Sequence, residues 1–311
     1  MNIDTRIKFR HLLCFIEVAQ HRSFAKAAHA VSVSQPAISK TLKELEGILE
    51  ARLFERDKNG VVLTQAGQAF MRYAGPCVQA LRDGVNTVRS GGMQGGQVRV
   101  GVLSTVESLV IPEVIRRLHE RHSGLTISVT TGMSTYLLNK LRVGELDIVV
   151  GRMTDNPEIR GLNFEHLYSE SMTLVVRNGH PLQTATGIDR QRLADYPWVL
   201  PLTGTTIRQY AESFLVQCGI SLMSQRLETL SPALSRRYVL LSDAVWIAPL
   251  DAVETDIKAG VLAELSLGVQ EPGGSIGLCR NNTATLPLAA QWFCEVLREV
   301  ASELVAERSV S

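Results

Sequence analysis

The chain has 311 residues, 45% of them hydrophobic and 20% charged, and a formal net charge of +1. That length suggests two or three domains, and that composition gives an ordinary soluble protein material for more than one core. No apolar run approaches the roughly 18 residues that a membrane span needs, so no membrane partner is expected. The start, "MNIDTRIKFRHLL", lacks a secretory apolar core and a small-residue cleavage site, so a cytoplasmic location is expected. The cysteines Cys14, Cys77, Cys218, Cys279 and Cys294 are odd in number and scattered, with no CxxC. They read as buried reduced thiols, with redox sensing as the alternative, and with no disulfide framework and no metal site. The charge is uneven: residues 1–90 hold 13 Lys and Arg against 8 Asp and Glu, and the rest hold 19 against 23. A basic N-terminal segment on a mildly acidic body points to a polyanion partner; the competing reading is chance.

The first predicted helix covers about residues 8–20, where Phe9, Leu12, Leu13, Phe15, Ile16 and Ala19 form an apolar stripe at three-to-four spacing. Ser23 is placed to cap a second helix whose inward face is Phe24, Ala27, Ala28 and Val31. "SVS" is the turn. Ser34 caps a third helix, Pro36 sits in its first turn, and Ala37, Ile38, Leu42, Leu45, Ile48 and Leu49 make its buried face. That leaves a polar start: Ser34, Gln35, Ser39, Lys40 and Lys43. A helix-turn-helix puts the start of its second helix into the major groove of DNA. Gln can grip adenine with two hydrogen bonds, Ser can meet several base edges, and Lys neutralises phosphate. The competing reading is a well-capped three-helix bundle in water. "LFERDKNGVVLT" then reads as a two-stranded wing with a basic turn at Arg56 and Lys58, or else as an ordinary basic hairpin.

Residues 65–90 read as one linker helix, with Ala66, Phe70, Tyr73, Cys77, Leu81, Val85 and Val88 along one side. That stripe suits pairing with a second copy, or packing on its own domain. Gly75–Pro76 predicts a kink or break, because proline inside a helix loses a hydrogen bond and crowds the preceding turn. "GGMQGG", residues 91–96, is a hinge. From residue 97 strands such as "QVRVGVL", "LTISVTT" and "LDIVVG" alternate with helices such as "STYLLNKLRVG", which predicts parallel sheets covered by helices.

The pieces "HLLCFIEVAQHRSFAKAAHAVSVSQPAISKTLKELEGILEARLFER" and "LTQAGQAF" resemble the LysR-type transcriptional regulators. The likeness continues through "VRVGVLSTVESLVIPEVI" and "LRVGELDIVVGR", so it covers nearly the whole chain. "RIKFRHL", "LRVGELDIVVGRM" and "FEHLYSE" look like the subgroup that controls protocatechuate and related aromatic-acid catabolism, or sugar-uptake genes. The resemblance implies an N-terminal winged helix-turn-helix over residues 1–64, a linker helix for dimerisation over 65–90, and an α/β effector domain over 97–311. That domain would be two-lobed, like periplasmic binding proteins, with lobe I at 97–166 and 270–300 and lobe II at 167–269. The implied partners are double-stranded promoter DNA, a small-molecule inducer and further copies of the chain, usually as a homotetramer. RNA polymerase is a further candidate partner, and no cofactor is implied. Carried onto this sequence, Ser34, Gln35, Pro36, Ser39 and Lys40 fall on the recognition helix and Arg56 on the phosphate-contacting wing. Lys26 and Thr41 are backbone-contact candidates.

Ligands of open α/β sheets sit beyond the carboxyl ends of the strands, where helix starts favour carboxylates. "LST", "MST" and "PLTGTTIR" are such places, and the resemblance puts all three at the cleft between lobes together with Ile247. The candidate inducer contacts are therefore Ser104, Thr105, Ser134, Thr203, Thr205 and Ile247, with Arg208 as a charge that could balance an anion or lie on the surface. Simple helix capping explains any one of these hydroxyls equally well.

An enzyme is not expected. "GGSIG" matches a nucleophile elbow around Ser275, but that elbow needs a histidine later in the chain and none follows. "HERH" lacks the rest of a zinc site, and "GGMQGG" has the wrong spacing for a dinucleotide fingerprint. A cytosolic small-molecule-binding module without transcriptional output is the alternative. It leaves residues 1–64 unexplained.

Overall fold

The computed structural model describes residues 4–57, 60–89, 96–152, 159, 161–183, 190–220, 225–268, 271–282 and 286–310. The hinge predicted at 91–96, apart from Gly96, lies outside them, as do Lys58 and Asn59 in the predicted wing.

Three helices open the chain: α1 (Phe9–His21), α2 (Phe24–Ala30) and α3 (Gln35–Leu49). The Ser23 hydroxyl accepts from the Lys26 amide and the Ser34 hydroxyl from the Ala37 amide, so both predicted caps form. Each such cap contributes about 1 kcal/mol. Ile38, Leu42 and Leu45 are buried against Phe15, Val18, Ala27 and Ala28. Ala37, expected inside, is exposed. Strands β1 (Phe54–Asp57) and β2 (Gly60–Leu63) pair antiparallel as a wing, Phe54 opposite Leu63. Helix α4 (Gln65–Arg89) follows and runs unbroken through Pro76. Of the predicted kink or break, the break is absent. Met71, Ala74 and Val78, on both sides of the proline, pack into the same core as α1 and hold the two halves in one helix. The expected single stripe is divided between two uses: Ala66 and Phe70 pack on the winged unit, while Tyr73, Leu81, Val85 and Val88 stay exposed.

Strand β3 (Gln97–Val102), helix α5 (Val110–Arg121), strand β4 (Thr126–Thr131), helix α6 (Ser134–Arg142) and strand β5 (Ile148–Arg152) come next. Strands β4, β3 and β5 are parallel neighbours in that order. The long strand β6 (Leu162–Arg177) leaves this first lobe and enters the second. The second lobe holds β7 (Trp198–Leu200), α7 (Thr206–Gln217), β8 (Arg226–Glu228), α8 (Pro232–Leu241), β9 (Val245–Pro249), α9 (Glu254–Lys258) and β10 (Leu262–Glu264). Strand β11 (Glu271–Asn281) returns, and α10 (Leu288–Val310) closes the chain. Alternation had predicted parallel sheets throughout. The parallel runs β4-β3-β5 and β9-β7-β8 are instead joined by β6 and β11, which are antiparallel to each other because one leaves the first lobe and the other returns.

Each lobe buries both faces of its sheet. In the first, α5 and α10 cover one face through Val114, Leu118, Phe293 and Leu297, and α6 covers the other through Leu137, Leu138 and Leu141. In the second, α7 covers one face through Ile207, Ala211 and Phe214, while Val239 of α8 lies with Val253 and Leu262 on the other. Cys14, Cys218, Cys279 and Cys294 are buried thiols, as expected, whereas Cys77 is exposed on α4. No helix among the described residues is long and apolar enough to cross a membrane.

Candidate DNA interface and effector cleft

The polar start of α3 is on the surface. Gln35, Pro36, Lys40 and Lys43 are exposed and Ser39 is half-buried. Pro36, Ser39, Lys40, Lys43 and Glu44 line one shallow depression along the helix. This places residues spaced by three and four on one outward face, while Ile38, Leu42 and Leu45 anchor the opposite one. Ser34 spends one of its two lone pairs on the cap and keeps its hydroxyl proton to donate. Arg56 is exposed on the wing opposite Val61, and Lys26 is exposed in the first turn of α2. Thr41 is different: it is half-buried and hydrogen-bonded to the Cys14 thiol, whose pKa burial pushes up. That contact ties α3 to α1.

Among the cleft candidates, Ser104 is the most informative. Its hydroxyl donates to the Leu230 carbonyl of the second lobe at 2.7 Å. Ser108, in the same turn, donates to the Asp251 carbonyl at 3.2 Å. The turn after β3 therefore sits against the second lobe. Strand register collects the other turns there. Val102 is opposite Thr131, so the turns carrying Ser104, Thr105 and Ser134 are neighbours. Leu200 is opposite Glu228, so the turn carrying Thr203 and Thr205 lies beside the one holding Leu230. Thr203 is exposed, and the Thr205 hydroxyl donates back to the Leu202 carbonyl at 2.7 Å.

Two candidates take internal roles. Ile247 is fully buried in the second lobe with Met172 and Leu174, which accounts for its apolar side chain without a ligand. Arg208 is neither on the surface nor free for an anion: it is 5% exposed, donates to the Pro201 carbonyl at 2.9 Å, and pairs with Glu212 and Glu228. It fastens α7 to the ends of β7 and β8.

The sequence reading missed the charges that join the lobes. Arg152 at the end of β5 pairs with Glu170 on β6, both side chains almost wholly buried. Burial pushes the Arg152 guanidinium down to about 10, still charged at neutral pH. The Tyr168 hydroxyl donates to Asp251 at 2.5 Å, and burial and that carboxylate push its pKa up, so it stays protonated. Arg308 near the end of α10 reaches Asp251 at 2.8 Å and also pairs with Glu254. The readable signal was a charged residue ending or interrupting an apolar run, as in "DIVVGR" and "LYSES". Buried pairs of this kind add little net stability, because desolvation offsets attraction, but they penalise misplacement strongly.

"GGSIG" has a structural explanation. A Cβ on Gly277 would lie 2.3 Å from the Glu165 carbonyl oxygen, and one on Gly273 would lie 3.1 Å from the Ser171 carbonyl carbon. The glycines let β11 press against β6. That pairing also brings His166 into hydrogen-bond contact with Ser275, a neighbour that chain order alone did not suggest. His166 is exposed on its strand.

The description "Bacterial regulatory helix-turn-helix protein, lysR family" matches residues 9–68, and "LysR substrate binding domain" matches residues 91–302. The chain belongs to the LysR family of transcriptional regulators. It is 37% identical over 308 residues to the HTH-type transcriptional regulator PcaQ of Agrobacterium fabrum, covering 99% of both chains. It is 37% identical over 299 residues to the uncharacterized HTH-type transcriptional regulator YdcI of Escherichia coli K12, covering 94% of this chain and 96% of that one. Among solved structures, ArgP of Mycobacterium tuberculosis shares the fold with a TM-score of 0.67, at 14% identity over 94% of this chain and 96% of that one. The family resemblance read from the sequence therefore holds. The relatives are transcriptional regulators, a non-enzymatic role, and the alternative of a cytosolic small-molecule-binding module without transcriptional output does not describe a LysR-family regulator.

Proposed function

We propose that this regulator binds a partly palindromic promoter site as a homotetramer built from dimers, and that it senses an aromatic or other small organic acid between its lobes. One observation carries the choice of an acid. Helices α6 and α7 start at the cleft turns with no side-chain cap. The first amides of a helix are unsatisfied and carry partial positive charge, which favours a carboxylate. The resemblance to regulators of protocatechuate catabolism supports an aromatic one. Ser104, Thr105, Ser134, Thr203 and Thr205 supply hydroxyls around those amides. On the DNA side, Gln35 and Ser39 read base edges, while Lys40, Arg56 and Lys26 meet phosphates. An acid that prefers the closed lobes shifts the regulator toward that arrangement by its difference in affinity for the two.

The test is thermal unfolding of the full chain with protocatechuate, other aromatic acids, sugars and sugar acids. A ligand of the native form raises apparent stability, by about 2.7 kcal/mol at a hundredfold excess over Kd. A stabilisation by aromatic acids that Ser104→Ala and Thr205→Ala weaken supports the reading. A response to sugars alone would replace the ligand class, and a response to acids that both variants leave intact would move the site elsewhere.

A further inference from the structure

Helix α4 touches two bodies. Met71, Ala74 and Val78 pack into the winged unit, and Gly75 meets the turn that follows α6. A Cβ on Gly75 would lie 2.6 Å from the Val143 carbonyl oxygen; one on Gly144 would lie 3.3 Å from the Gly75 carbonyl group and the Pro76 nitrogen. Two backbones can approach this closely only because both positions lack side chains. Gly144 also has φ of +76°, so the turn itself favours glycine there. The contact has an apolar plug and a polar rim. Val143 packs, partly buried, against the winged-unit core. Gln20, near the end of α1, donates to Glu145, which also accepts from Lys140. The "GP" that looked awkward inside a helix is thus a notch on the linker helix, and the first lobe fills it.

The contact is local. Beside it lies a cavity of about 920 Å³, bordered by Gln65, Arg72, Tyr136 and Asn139, so the winged unit and the first lobe meet without a sealed core between them. A joint of this kind can open without unfolding either side. The same first lobe connects it to the cleft. Helix α6 begins at Ser134, in a cleft turn, and ends at Arg142, one residue before the plug. Its nine residues make one rigid element, about 14 Å long.

We propose that Val143, Gly144 and Glu145 form a latch that seats in the Gly75 notch and fixes the angle at which the DNA-binding unit is held against the first lobe. The latch rests on the DNA-binding role of the winged unit and not on the identity of the cleft ligand.

Two variants of the full chain test it, one on each side of the joint and both outside the core of their own unit. Val143→Asp puts a charge where the plug meets the winged core, and Gln20→Glu sets a second carboxylate against Glu145. The readouts are amide hydrogen exchange over residues 17–22 and 140–146, and the bend of bound promoter DNA, both without added ligand. Val143→Asp should speed exchange in both segments at least tenfold and change the bend; Gln20→Glu should do the same to a smaller extent. Unchanged exchange in both variants would mean that the turn does not seat on the linker in solution. Faster exchange with an unchanged bend would mean that the contact exists but does not set the angle, and the latch would be lost as a device. If Val143→Asp shows a loss of helix content, Gln20→Glu decides alone.

Discussion

At the residue scale, Gln35 and Arg56 are exposed side chains for which different duties are proposed. A glutamine that reads a base distinguishes operator from random sequence, while an arginine that meets phosphate does not. Gln35→Ala should weaken operator binding by about 1–3 kcal/mol and barely affect random DNA. Arg56→Ala should weaken both and reduce the salt dependence of binding by about one released counterion. Titrations of both DNAs at several salt concentrations check this; equal losses on the two DNAs for Gln35→Ala would remove its reading role. His180 makes a separate prediction about the second lobe. Its Nδ1 accepts from the Leu182 amide at 3.0 Å, so Nε2 carries the proton toward the Asp243 carbonyl at 3.1 Å. Burial lowers its pKa below the usual 6.5, so the folded state favours the neutral ring. The unfolded chain then binds more protons in acid, and stability falls as pH drops from 6.5 through the lower folded value. His180→Gln should remove this part of the pH dependence, measured as the slope of Tm against pH from 7 to 5. An unchanged slope would assign the acid sensitivity to other groups.

At the element scale, legibility followed how local the deciding interaction is. The winged helices were readable because the stripe, the caps Ser23 and Ser34 and the turn "SVS" all lie within a few residues; the caps and the turn formed, and the stripe formed except at Phe9 and Ala37, which are exposed. The strands β3, β4 and β5 were readable for the same reason. Strand β11 was not: "EPGGSIGLCRN" holds a proline and three glycines, which local propensity assigns to a loop. Pairing with β6, whose partners lie 99 to 119 residues earlier, makes it a strand and makes the glycines necessary. Pro76 failed in the opposite way. A local penalty predicted a kink or break, and against the break packing on two bodies outweighed it. In the candidate site, the hydroxyl turns were visible as motifs, but Arg152, Glu170, Tyr168 and Asp251 were not, because their pairing depends on the crossing of β6 and β11. Helix α10 was legible and passed over: Phe293, Leu297, Val300 and Leu304 recur at helical spacing and are buried as that spacing requires.

At the scale of the whole molecule, α4 has a side that this chain does not use. Its inner positions are covered by the winged unit and the first lobe, yet Tyr73 is 64% exposed, Leu81 51% and Val88 81%. These apolar residues continue outward along the helix and suit a second α4. Pairing there would carry two recognition helices to successive major grooves, about 34 Å apart. Occupying one half-site then makes the second contact intramolecular, which raises overall affinity by about 10²–10⁴-fold without any new protein–DNA contact. Leu81→Glu separates these effects. In an isolated chain the position is half-exposed, and the change should alter stability by no more than about 0.5 kcal/mol. In a pair it places two carboxylates at an apolar seam. Sedimentation should then show smaller assemblies, and affinity for a two-half-site operator should fall by about a hundredfold or more while affinity for a single half-site stays the same. Equal losses on both DNAs would point to damage within the winged unit. Unchanged sedimentation would place the self-association surface off this helix.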